Sequence, residues 1–99
     1  DEEFARHYLR SLIGKGKGPV YIRQKLKQKG IEPELLSQVL NEVDRVEWKN
    51  TALAVARKKF KTFDKKSKAK IQRFLYSRGF DYPTINAVID EFLLEGVQY

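Results

Sequence analysis

A run of large apolar residues between Ile22 and Val43 returns 49 positions later between Ile71 and Phe92. At this offset Ile22 pairs with Ile71, Leu26 with Leu75, Gly30 with Gly79 and Ile31 with Phe80. Leu36 then pairs with Ile85, Val39 with Val88, Leu40 with Ile89, Glu42 with Glu91 and Val43 with Phe92. Similarity at a fixed period marks one folded unit written twice, each copy burying its neighbour's apolar surface. Such arrays present an extended face to a partner and seldom enclose a catalytic pocket.

Within each copy the spacing is helical. Phe4, Ala5, Tyr8, Leu9 and Leu12 share one face of a first helix. Gly14-Lys15-Gly16-Lys17-Gly18-Pro19 ends it, and Pro19 suits the first turn of a second helix, which runs to about Lys29 with Gly30 as its left-handed cap. Pro33 opens a third, with Leu35, Leu36, Val39, Leu40 and Val43 inward. Asp44-Arg45-Val46-Glu47 has the spacing of a capping box and opens a fourth, carrying Trp48, Ala52, Ala56, Phe60 and Phe63. A fifth, from about Lys66 to Arg78, turns Ile71, Phe74 and Leu75 inward. The sixth follows Asp81 and Pro83, burying Ile85, Val88, Ile89, Phe92 and Leu93. The expected fold is all-α: two tandem three-helix repeats, over residues 1–44 and 45–99, forming a short right- or left-wound helical array. The first and fourth helices align poorly at the 49-residue offset, so the linkers that follow them should differ in length.

Charge follows the repeat. Residues 15–30 hold six bases and no acid, and residues 51–79 hold ten bases and one acid. Residues 31–50 and 80–99 are net acidic, and the whole chain sums to +7. Stacked copies should therefore gather their basic segments into a stripe suited to an anionic partner. The candidate contacts are Lys15, Lys17, Arg23 and Lys27 in the first copy, with Arg57, Lys58, Lys59, Lys66, Lys70 and Arg73 in the second. Lys66, Lys70 and Arg73 fall at i, i+4 and i+7, on one exposed stripe. A solvated lysine-rich face is the plainer alternative.

Other motifs carry less. Gly14 to Gly18 lacks the Lys-Ser/Thr ending and the preceding strand of a nucleotide-binding loop, leaving an interhelical turn or a basic linker that touches phosphate. His7 is the single histidine and has no converging partners, so no catalytic, metal or cofactor site is expected. Tyr21, Tyr76 and Tyr82 either close core edges or offer stacking platforms to single strands. With no Cys the chain has neither a disulfide framework nor a thiolate site, which fits a reducing compartment. No apolar run nears the roughly 18 residues of a membrane span. The absence of Met suggests a piece of a longer protein.

These residues together resemble the RecX family, bacterial regulators of the RecA recombinase. The resemblance rests on Asp1-Glu2-Glu3-Phe4-Ala5, on Gly16-Lys17-Gly18-Pro19 with Ile22 and Leu26, and on Lys29-Gly30-Ile31. Trp48 with Ala56, Lys58, Lys59 and Phe60 continues the pattern, and Lys70-Ile71-Gln72-Arg73-Phe74-Leu75 with Arg78-Gly79-Phe80 completes it. It implies the second and third of three helical repeats. It also implies a cytoplasmic bacterial protein, monomeric and without catalytic residues, that docks on the RecA–single-stranded DNA filament and inhibits its ATPase and strand exchange in the SOS response. Two alternatives stay open: a binder of bare DNA without sequence preference, and a helical adaptor for an unrelated acidic protein.

Overall fold

The computed structural model describes residues 1–95; the last four residues of the expected second unit lie outside them. Six helices follow one another: α1 (Glu2–Gly14), α2 (Pro19–Gln28), α3 (Pro33–Asn41), α4 (Arg45–Lys59), α5 (Lys65–Ser77) and α6 (Tyr82–Leu94). α1, α2 and α3 pack on one another, as do α4, α5 and α6. The principal extents are 50 × 20 × 19 Å, so the two bundles lie in line and form a rod. No helix among the described residues is long and apolar enough to cross a membrane.

The repeated apolar positions are the core. Ile22, Leu26, Val39, Ile71, Leu75, Phe80 and Val88 are completely buried. Trp48, Ala52 and Ala56 line the inner side of α4. They stand where Ala5, Leu9 and Leu12 stand in α1, but at an offset of about 43 rather than 49. The difference is absorbed by a longer α4, by a five-residue connection (60–64) where the first bundle uses four (15–18), and by α5, which starts three residues further ahead of its buried Ile71 than α2 does of Ile22. Two expected core members are exposed, Phe4 at 45% and Leu93 at 52%. Each sits at the edge of its helix's apolar arc, outside the width that two neighbouring helices cover. Phe4 instead stacks on Tyr8 at 5.8 Å.

Asp1, Asp44, Asp64 and Asp81 cap α1, α4, α5 and α6 by accepting first-turn N–H groups. The expected capping box at α4 is only half formed. Asp44 accepts from the Glu47 N–H at 2.9 Å, whereas the Glu47 carboxylate is drawn to Arg10 across the helix pair. The complete box lies at α5: Asp64 accepts from the Ser67 N–H at 2.8 Å, and the Asp64 N–H donates to Ser67 Oγ at 2.7 Å. The Ser67 backbone bond holds the Asp64 carboxyl below its ordinary pKa. Its stabilising contribution is thus complete above the unfolded-state pKa and lost as pH falls through the lower folded-state value. Asp64→Ala should lower the melting temperature by about 4 °C at neutral pH, with the gap closing in acid. Thermal melts at several pH values check this; a gap that widens in acid would contradict it.

α2 has no side-chain cap, because Gly18 occupies its N-cap. The reason is tertiary. Gly18 N–H donates to the Arg78 carbonyl at 2.9 Å and Val20 N–H to the Gly79 carbonyl at 2.8 Å, joining the start of α2 to the turn between α5 and α6. A β-carbon at Gly18 would stand 2.5 Å from the Gly79 carbonyl oxygen, and one at Gly79 would stand 2.5 Å from Tyr21 Cβ and 2.6 Å from its backbone nitrogen. Gly79 also has φ +95°. Bare backbone against bare backbone clasps the two bundles, so the glycine-rich segment is a structural joint rather than a loose linker.

Candidate polyanion-binding face

The clasp sets two rows of side chains end to end. On α5, Lys66, Lys70, Phe74 and Arg78 recur every fourth residue, a ridge about 18 Å long at 1.5 Å per residue. Subtracting 49 gives Lys17 just before α2, Tyr21 and Lys25 on it, and Lys29 at its C-cap. The second row ends at Arg78, whose carbonyl is bound to Gly18, next to Lys17, where the first begins. Rings and cations interleave in both. Lys17 Nζ lies 4.7 Å and Lys25 Nζ 5.5 Å from the Tyr21 ring centre. Lys59 Nζ and the Arg78 guanidinium lie 5.3 and 5.4 Å from that of Phe74. Each such contact holds a flexible cation in place at a modest gain.

The ten cations singled out from the sequence divide accordingly. Lys66, Lys70 and Arg73 are exposed on α5 beside Phe74. Lys15, Lys58 and Lys59 line a cleft of about 700 Å³ at the joint between the bundles. Lys17 belongs to the α2 row. Arg23 and Lys27 lie on the opposite flank of α2 from Tyr21 and Lys25, and Arg23 lines a separate groove with Asp44, Arg45, Trp48 and Asp81. They are not the counterparts of Lys66 and Lys70, which are Lys17 and Tyr21. Arg57 is turned to α6, where its guanidinium meets Glu95 with one contact at 3.0 Å and sits over Phe92 at 5.5 Å. The Glu95 bond raises the Arg57 pKa, and the same bond lowers that of Glu95. Arg57→Ala should accordingly leave polyanion affinity within about twofold of the wild type, as a titration by fluorescence anisotropy will show.

Ion pairing separates holding charges from free ones. Arg6 joins Glu42 and Glu2, Arg10 joins Glu47, Lys49 joins Glu91 at 2.9 Å, and Arg57 joins Glu95. These pairs tie α1 to α3, α1 to α4 and α4 to α6. Among the described residues no carboxylate pairs with any cation of the two rows or the cleft. The sequence reading missed Lys25, Lys29 and Arg78; extending the four-residue spacing of Lys66 and Lys70 reaches Phe74 and Arg78, and the repeat offset then gives Lys25 and Lys29. Tyr76 and Tyr82, 60% and 67% exposed, stack on each other at 5.6 Å across α5 from Phe74. His7 is exposed, and no group of three or more metal-ligating side chains forms among the described residues.

The comparisons agree with this architecture. The family model described as RecX, second three-helix domain, matches residues 1–40, and that for the third three-helix domain matches residues 47–89. A protein named Regulatory protein RecX from Legionella pneumophila is 45% identical over 92% of this chain and 62% of its own length. Relatives of the same name from Serratia proteamaculans and Yersinia enterocolitica are 39% and 36% identical, over 93% and 94% of this chain and 56% and 57% of theirs. The chain thus spans less than two thirds of the length of these relatives. No solved structure matches it. Two three-helix domains matched in order over most of the chain, with relatives up to 45% identical, show that the chain belongs to the RecX family of regulatory proteins.

Proposed function

We propose that this chain is a non-enzymatic regulator that docks its basic face on the filament formed by the RecA recombinase on single-stranded DNA, lowering the filament's ATP hydrolysis and strand exchange. The observation that carries the reading is the segregation of charge. Carboxylate-paired cations hold the helices together, while the two rows and the cleft between them keep theirs free. A rod 50 Å long that carries two rows of unpaired cations meeting near its joint suits a repeating polyanionic fibre. The clasp gives the rod the stiffness to act as a wedge: seated between filament subunits, it would resist the geometry required for hydrolysis. The reading places the protein, as a monomer, in the bacterial cytoplasm, where that filament forms, and requires neither cofactor nor catalytic group.

Co-sedimentation with preformed RecA–DNA filaments tests it. The chain should pellet with filaments and be released as salt rises, because neutralised phosphates regain their counterions. A chain that stays in the supernatant at low salt would refute the docking. Direct binding of bare DNA is the second reading, favoured by the cleft at the joint. The basic segments hold little Asn, Gln or Arg for base edges, so that binding would lack sequence preference.

A further inference from the structure

Three helices end around the 700 Å³ cleft: α1 at Gly14, α4 at Lys59 and α5 at Ser77. Lys15, Lys58, Lys59 and Arg78 line it, and Glu47, the one carboxylate there, is taken by Arg10. Cations at helix C-termini neutralise dipoles, which is the ordinary explanation for such a cluster. Three helix ends supply about half a negative charge each, roughly 1.5 in all, against four full positive charges. The surplus is unmatched by any protein group. Arg78 is the sharpest member. The clasp holds its backbone, Phe74 supports its guanidinium, and its Nε is enclosed with no hydrogen-bond partner. A fork fixed in advance in this way loses little entropy on meeting a planar or tetrahedral oxyanion.

We infer that this cleft seats a backbone phosphate of a single-stranded nucleic acid, with Arg78 as its central donor and Lys15, Lys58 and Lys59 around it. The inference rests on the polyanion reading above and narrows it to one seat. A strand is favoured over an acidic protein because the α5 row runs into the cleft through Phe74 and Arg78, and the α2 row begins beside it, at Lys17 next to the Gly18 bond to Arg78. Evenly spaced cations interleaved with Tyr21 and Phe74 suit evenly spaced phosphates and bases better than the scattered carboxylates of a folded surface. Lys15, the pair Lys58 and Lys59, and Arg78 enter the cleft from the ends of three different helices, which explains why the site depends on the joint.

The test is fluorescence anisotropy of a labelled oligothymidylate, titrated with this chain across a range of salt and without recombinase. Arg78→Ala should weaken binding about tenfold and reduce the salt slope by about 0.7, the value for one single-strand phosphate contact. Lys58→Ala with Lys59→Ala should do the same through residues that do not touch the clasp, so a destabilised Arg78 variant leaves the seat testable. Arg23→Ala with Lys27→Ala, on the other flank, should change nothing. Affinity and slope unchanged in both cleft variants would overturn the inference, as would a wild type that does not bind the strand. Displacement of the strand by polyglutamate as readily as by unlabelled strand would overturn it too. Loss of strand binding in the cleft variants, with their filament docking intact, would keep the seat and remove the filament from this surface.

Discussion

Alanine at Gly79 is expected to lower the melting temperature several times further than alanine at Gly30. The two glycines occupy the same position of the repeat and share a left-handed backbone, φ +95° and +82°. Alanine pays about 1 kcal/mol for that conformation at either site, a shift of about 4 to 8 °C for a chain of this size. Nothing lies within 4 Å of a β-carbon at Gly30, so the cost should end there. At Gly79 the new methyl meets Tyr21 Cβ at 2.5 Å and Tyr21 backbone atoms at 2.6 and 3.0 Å, and backbone cannot rotate away as a side chain can. The α2 start must lift from the turn, breaking the two clasp hydrogen bonds at about 1 kcal/mol each and exposing the joint. A total near 3 to 4 kcal/mol follows, about 12 to 32 °C. Amide exchange at Gly18 and Val20 should accelerate in Gly79→Ala and stay slow in Gly30→Ala. Equal melting shifts in the two variants would show that the clasp contributes nothing.

Reversing Lys66, Lys70 and Arg73 to Glu should weaken co-sedimentation with RecA–DNA filaments by about a hundredfold near physiological salt. All three are exposed and free of ion pairs, so the fold should be untouched and the melting temperature nearly constant. Each substitution removes an attraction and adds a repulsion, which makes reversal a stronger probe than alanine. The same change at Arg23 and Lys27, on the opposite flank of α2, supplies the control for net charge. Equal weakening by both sets would mean that the filament senses total charge and not the rows. Undiminished binding by the Lys66, Lys70 and Arg73 variant would remove α5 from the interface.

The helices were legible because apolar spacing, proline starts and glycine stops are local signals. The repeat offset then tied α2 to α5 and α3 to α6. What remained hidden depends on contacts between distant segments. Nothing near Gly18 in sequence says that it must be glycine; the requirement comes from Gly79, 61 positions away. Glu47 has the spacing to complete a capping box, but Arg10 on α1 competes for it, and a full charge outbids one backbone N–H. The face was half legible. Dense positive charge drew attention to Arg23 and Lys27, whereas the offset that revealed the repeat already placed Lys17, Tyr21, Lys25 and Lys29 opposite Lys66, Lys70, Phe74 and Arg78. Arg57 looked free only because Glu95 lies 38 residues away on another helix.

The most direct measurement is ATP hydrolysis by preformed RecA–DNA filaments titrated with this chain at two salt concentrations. Hydrolysis should fall with dose, and fall less at the higher salt. Hydrolysis that holds steady while the folded chain is at saturating concentration would contradict the account.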